Sequence, residues 1–191
     1  MPQARTINKT QIKQVIEVIK SCSRYPLRDI SMLMLTHLCG LRVGEVATLT
    51  FDEIVDSNGQ VLDEITLSAE KTKSKRSRKI ILPRQMQRHL QEYISNMSGI
   101  PKHGYLFSTQ KNSYFTPNTA SQHLKRLYER AGITGATSHS GRRTWLTRLS
   151  QKGVSVFVLA DLAGHRQLQT TMKYVSVNDE MKRNAAELIN L

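Results

Sequence analysis

Residues 27–39 read Leu-Arg-Asp-Ile-Ser-Met-Leu-Met-Leu-Thr-His-Leu-Cys, and residues 40–49 continue Gly-Leu-Arg-Val-Gly-Glu-Val-Ala-Thr-Leu. The first run is apolar nearly all round, with Ile30, Leu33, Met34, Leu35 and Leu38 falling on several sides of a helix. A helix of that kind is buried by its neighbours, so it is expected to form the centre of the fold. Gly40 ends it, and a short helical segment carries the chain through Leu49.

On the N-terminal side, Ile12, Val15, Ile16 and Ile19 recur at helical spacing between Gln11 and Lys20, which predicts an amphipathic helix against the central one. On the C-terminal side, Ile65-Thr-Leu-Ser alternates and Lys79-Ile-Ile-Leu is β-branched and apolar, so two strands are expected with a basic hairpin between them. A helix near Gln85–Asn96 follows. Thr116-Pro117 then supplies an N-cap and an N1 proline for a helix that stops around Gly132. Short helices are expected around Gly141–Lys152, Ser155–Leu162 and Leu168–Tyr174, with a terminal helix from about Asn178. The fold class is therefore mainly α with a small antiparallel β-sheet (α+β).

A chain of 191 residues with 39% hydrophobic content can bury one substantial core without metals or disulfides. Lys and Arg number 28 against 15 acidic residues, a formal net charge of +13 that favours a polyanionic partner, nucleic acid before an anionic membrane. No apolar stretch approaches the roughly 20 residues that span a bilayer, and the N-terminus lacks a signal-peptide core. A cytoplasmic location is expected. Cys22 and Cys39 lie in apolar company without a CxxC arrangement, and are read as small core residues.

A basic protein acting on DNA needs a nucleophile and cations that bind phosphate. Four segments supply them. In Cys39-Gly-Leu-Arg-Val-Gly-Glu45, Arg42 can fork two phosphate oxygens, and Glu45 lies on the same helical face; a surface ion pair is the plainer reading of these two alone. In Lys71-Thr-Lys-Ser-Lys-Arg-Ser-Arg-Lys79, a basic hairpin can enter a DNA groove or simply be a solvated charge run, and one of its lysines can protonate a leaving oxygen. In Ser138-His-Ser-Gly-Arg-Arg-Thr144, His139 and Arg142 lie one helical turn apart and can face one phosphate. In the fourth, His165 follows Ala163-Gly164, and Tyr174 comes nine residues later. A tyrosine hydroxyl is a weak nucleophile unless cations surround it.

The order and spacing of these residues resemble the tyrosine recombinase (phage integrase) family, whose motif set is Arg, Lys, His-x-x-Arg, His and Tyr. The resemblance covers roughly residues 8 to 180, and in extent it is similar to short members without a separate N-terminal core-binding domain. The family's first Arg sits in Gly-Leu-Arg-x-x-Glu, matched by Arg42 and Glu45. Its hairpin lysine is matched best by Lys73, with Lys71 and Lys75 as substitutes. His139 and Arg142 match His-x-x-Arg, His165 matches the histidine of Leu-Gly-His, and Tyr174 matches the nucleophile. The chain departs from the family in carrying Gly141-Arg142-Arg143 for Leu-Arg-His and Ala163-Gly-His165 for Leu-Gly-His.

The resemblance implies a site-specific DNA recombinase that cleaves and rejoins strands through a 3′-phosphotyrosine, without ATP, cofactor or metal. Arg42 and Arg142 are then the phosphate clamp, His165 a further donor, His139 the proton acceptor or orienting partner of Tyr174, Lys73 the acid, and Glu45 the support of Arg42. Lys71, Lys75, Arg76, Arg78, Lys79 and Arg143 are expected on DNA. Residues 1–7 are expected to be a flexible N-terminal tail, 8–177 the catalytic domain and 178–191 a C-terminal helix that packs in place or docks on a neighbouring protomer. Expected partners are double-stranded DNA attachment sites, further copies forming a tetramer on DNA, and a host DNA-bending protein. The rival readings are a type IB topoisomerase-like enzyme and a non-catalytic DNA-binding regulator.

Overall fold

The structure, a computed structural model, describes residues 4–72, 76–97, 104–175, 177 and 179–187. Helix α1 (Lys9–Cys22) starts at a capping box, in which the Asn8 side chain accepts from the Gln11 backbone and the Gln11 side chain accepts from the Asn8 backbone. Both of those amides would otherwise lack an intrahelical partner. Its buried stripe is Ile12, Val15 and Ile19, as the spacing predicts.

Helix α2 (Pro26–Leu38) is the buried centre: every residue from Arg28 to His37 is enclosed. It is followed by two short helices, α3 (Val43–Ala47) and α4 (Phe51–Ile54). Strands β1 (Glu64–Leu67) and β2 (Arg78–Ile81) pair antiparallel, with Ile65 opposite Ile80 and Leu67 opposite Arg78. Then come α5 (Arg84–Ser95), α6 (Pro117–Arg130), α7 (Ser140–Gln151), α8 (Val156–Ala163), α9 (Leu168–Met172) and α10 (Asp179–Glu187). The fold is thus mostly helical with one small antiparallel sheet.

α2 touches α1, α3, α5, α6 and α7, which explains an apolar surface on all its sides. Met32, Leu33 and Leu35 are fully buried, and truncating such a leucine costs about 2–5 kcal/mol. A second, smaller apolar cluster of Leu146, Leu159 and Ala163 joins α7 to α8, with Trp145, Leu149, Val154 and Tyr174 packed against it. Gly141 lets α7 approach α2 closely, since a Cβ there would collide with the Thr36 side chain.

The structure corrects three expectations. Residues 5–7 are not a loose tail: Ile7 is 1% exposed, its amide donates to Thr144 Oγ1 at 2.8 Å, and Arg148 and Arg5 add bonds that fasten the same segment. A single isoleucine between polar residues carries no periodic signal, so its burial is set by the tertiary pocket. Cys22 is exposed, because it falls on the outer side of the last turn of α1, whereas Cys39 is buried as expected. Arg78 is not a groove-facing cation but lies inside, as described below. The helix α4 and a 3₁₀ turn at Ala69–Lys71 are additions to the expected elements.

Candidate active site

Gly40 sets the entrance. Its φ of 64° ends α2 in the left-handed region, and a Cβ would fall inside the Trp145 ring, so the position requires glycine. The turn it makes aims the Gly40 carbonyl at Arg142 of α7, whose Nη1 donates to it. Arg42 then caps α3. Its own amide donates to Glu45 Oε2 at 2.7 Å, and its Nη1 donates to Glu45 Oε1 at 2.9 Å. Glu45 is only 2% exposed and Arg42 is partly buried, so this is not the plain surface ion pair.

The second oxygen of Glu45 also accepts from Nη2 of Arg78 at 2.8 Å. Arg78 reaches it because β2 places its side chain on the same face as buried Ile80, while Lys79 and Ile81 point outward. Nη1 of Arg78 donates to the Ala163 carbonyl at 2.6 Å, and Nη2 of Arg142 donates to the same oxygen at 2.7 Å. That carbonyl closes α8 at Gly164, whose φ of 63° turns the chain back and delivers His165. Nη2 of Arg142 lies 3.1 Å from His165 Nε2, and His165 Nδ1 lies 2.8 Å from the Thr171 hydroxyl. The Tyr174 ring stacks at 20° to the His165 ring with centroids 6.2 Å apart, and the Arg143 guanidinium sits 5.9 Å from the Tyr174 ring.

These contacts explain the proton affinities. Burial, and then the neighbouring Arg42, push Arg142 down to about 9, which still leaves it cationic at neutral pH. Burial, and then Arg142, Arg42 and Arg78, push His165 down to about 4, so it is neutral. Arg78 is lowered chiefly by burial, with Glu45 opposing the shift. Three guanidinium groups thus gather near one carboxylate that pairs with two of them, and the surplus positive charge suits an anion.

A cleft of about 570 Å³ opens beside this cluster, lined by Arg42, Glu45, Lys71, Tyr105 and His139 among others. His139 is exposed at the N-cap of α7. Lys71 is tied to Glu53 at 2.7 Å. Arg76 and Lys79 are exposed on the hairpin, Lys79 paired with Glu64, and Arg143 is half-buried. Lys73 and Lys75 lie outside the described residues. The fold therefore brings together Arg42, Glu45, Arg142, His165 and Tyr174, with His139 on the cleft wall. Thr171 was not singled out from the sequence, and Arg78 was expected on DNA and not inside the protein, although its shared parity with Ile80 on one strand is a signal for its inward direction. Among the described residues, no three His, Cys, Asp or Glu side chains form a metal-binding group. No helix among them is long and apolar enough to cross a membrane.

The sequence model of the Phage integrase family matches residues 5–181. A tyrosine recombinase of Pseudothermotoga lettingae is 34% identical over 159 residues, covering 83% of this chain and 52% of the relative. Transposase A from transposon Tn554 of Staphylococcus aureus is 30% identical over 191 residues, covering 95% of this chain and 51% of the relative. The chain thus spans about half the length of these curated relatives. Among solved structures, the XerA recombinase crystal structure superposes with a TM-score of 0.74 at 24% identity, over 98% of this chain and 65% of the other. A Tn1549 transposon integrase in complex with transposon right end DNA gives 0.75 at 18% identity, over 98% and 66%. At those identities the superpositions establish the fold.

Proposed function

The chain belongs to the phage integrase family, and from that premise we propose that it cleaves and rejoins double-stranded DNA through a covalent bond between Tyr174 and a backbone phosphate. The observation that carries this reading is the position of the Tyr174 ring beside the Arg142–His165 pair, in a cluster with surplus positive charge. Such a cluster offers what a phosphoryl transfer needs: charge accumulates on the non-bridging oxygens, and preorganised donors stabilise it.

In the first step the Tyr174 oxygen bonds to phosphorus and the bond to the 5′ oxygen breaks. The Tyr174 proton passes to His139, and the departing 5′ oxygen takes a proton from Lys73. Arg42 and Arg142 hold the non-bridging oxygens, which a guanidinium can do through two parallel bonds where an ammonium cannot. His165 donates a further bond. In the second step a 5′-hydroxyl attacks the phosphotyrosine and releases Tyr174, so one phosphodiester replaces another and no nucleotide hydrolysis is required. Glu45 keeps Arg42 in place from behind.

Arg76, Lys79 and Arg143, with the hairpin lysines, track the DNA backbone, which makes binding strongly salt-dependent. The partners are double-stranded attachment sites, further copies of the chain assembled on DNA as a tetramer, and a host DNA-bending protein, all in the cytoplasm. The segment 178–191 links protomers within that assembly.

The test is incubation of the purified protein with nicked DNA carrying candidate attachment sites, from which cleaved product diffuses away. A denaturation-resistant adduct formed in EDTA without ATP, and lost in Tyr174→Phe with DNA binding retained, is the expected result. An adduct that persists in Tyr174→Phe removes Tyr174 as the nucleophile. Salt-sensitive binding with no adduct on any site favours a non-catalytic binder.

A further inference from the structure

Thr171 is fully buried, and its hydroxyl faces the nitrogen of His165 that points away from Arg142. We propose that Thr171 is a positioning residue that holds the ring plane of His165 through both neutral tautomers, and so keeps Nε2 turned toward the phosphate; this rests on the reading of His165 as a phosphate donor.

A guanidinium only donates hydrogen bonds, so in the structure His165 Nε2, 3.1 Å from Arg142 Nη2, acts as acceptor and carries no proton. The proton of the neutral ring is then on Nδ1, which donates to Thr171 Oγ1. When a phosphate takes the Arg142 donor, Nε2 must itself donate. The ring then loses the Nδ1 proton to solvent and gains one at Nε2, with no net uptake. That exchange is cheap only if the group at Nδ1 can turn from acceptor to donor. A hydroxyl does so by rotation, since it holds one proton and two lone pairs. A methyl group in its place would leave a buried ring nitrogen unsatisfied in both states.

The backbone holds Thr171 to this task. Tyr174 N donates to the Thr171 carbonyl at 2.9 Å, so the turn that carries the hydroxyl also starts the turn that carries Tyr174. The groups facing the His165 ring are Arg142 from α7, Thr171 from α9 and Tyr174, with Arg42 and Arg78 contributing charge. Among the described residues, none of these other than Thr171 makes a hydrogen bond to Nδ1.

Two variants test the assignment on the full chain: Thr171→Val, which keeps the shape and removes the hydroxyl, and Thr171→Ser, which keeps the hydroxyl. Ring ¹⁵N shifts of ¹⁵N-histidine protein, assigned with His165→Asn, report the tautomer without DNA. Wild type and Thr171→Ser are expected to show a neutral ring with a hydrogen-bonded proton at Nδ1, and Thr171→Val a shifted Nδ1 resonance from the loss of that bond. With nicked DNA, Thr171→Val is expected to slow adduct formation on the order of 10- to 100-fold at unchanged DNA affinity, as for other residues that orient a functional histidine, while Thr171→Ser recovers most of the rate. Unchanged ring shifts in Thr171→Val, or a serine variant as slow as valine, overturns the proposal. If wild type forms no adduct, the recombinase reading fails, and the shifts of the free protein still decide whether Thr171 holds the His165 ring.

Discussion

Glu45 Oε2 accepts a hydrogen bond from Arg78 Nη2 at 2.8 Å, with both side chains inside the protein. Arg78 thereby joins the Arg42–Glu45 pair to the Ala163 carbonyl, which it shares with Arg142. Removing Arg78 strips buried Glu45 of one of its two cationic partners and leaves the Ala163 carbonyl one donor short. Arg78→Met is expected to lower the unfolding free energy by about 1.5–3 kcal/mol, read in denaturant titrations. It should leave the salt dependence of DNA binding unchanged, while Lys79→Ala on the outer face of the same strand reduces the log–log slope by about 0.9 if it neutralises one phosphate. A reduced slope in Arg78→Met at unchanged stability would return Arg78 to the DNA surface.

Gly40 holds a positive φ under the Trp145 ring while its carbonyl receives Arg142. Gly40→Ala adds left-handed strain of about 1–3 kcal/mol and a clash with the indole. Thermal unfolding is expected to drop by several degrees, at about 2–4 °C per kcal/mol for a chain of this size. Because the shift also moves the Gly40 carbonyl, adduct formation should fall more than DNA binding. Wild-type melting and activity in Gly40→Ala would show that the turn tolerates a side chain.

The contrast between Arg78 and Arg142 shows what the sequence made legible. Arg142 stood out because His139 is one turn before it and His165 and Tyr174 follow in order, and the fold does gather Arg142, His165 and Tyr174. Arg78 was hidden by company: in a run of lysines and arginines its charge reads as one more exposed cation, whereas its direction depends on strand register. α2 was legible since its apolar residues cover every side, but Ile7 was not, for a lone apolar residue has no period. Thr171 falls between these cases. A threonine three residues before a tyrosine carries no chemistry until the fold places a histidine ring on its hydroxyl.

His37 gives the protein a built-in acid sensitivity. It is buried against Tyr128, with Nε2 2.8 Å from the phenol oxygen, and burial, followed by Arg148, pushes it down to about 3. The unfolded chain titrates near 6.5. Between those values the unfolded state binds the extra proton, so stability rises with pH and is lost as pH falls from about 6.5 toward 3, by about 1.4 kcal/mol per pH unit from this one group. His37→Gln keeps a polar group of similar reach without titrating, and is expected to flatten the slope of unfolding free energy between pH 4 and 6 by about that amount. His165, also lowered, supplies a remaining slope in the same direction. An unchanged slope in His37→Gln would mean that His37 does not titrate on unfolding in this range.

Lys71 of the hairpin is already committed to a carboxylate. Lys71 Nζ donates to Glu53 Oε2 at 2.7 Å, an ion pair that turns it toward α4, although it also lines the cleft. A general acid has to reach the leaving oxygen, so a lysine whose ammonium is committed to a carboxylate serves less well in that role. Lys71→Ala is therefore expected to change adduct formation little, whereas Lys73→Ala should slow it by about 10²- to 10⁴-fold. Replacing the leaving 5′ oxygen by sulfur, whose thiolate needs no proton to depart, should restore the Lys73→Ala rate and leave His165 and Arg142 variants slow. If Lys71→Ala shows the large loss and the sulfur rescue instead, the acid is Lys71 and its bond to Glu53 must open when DNA binds.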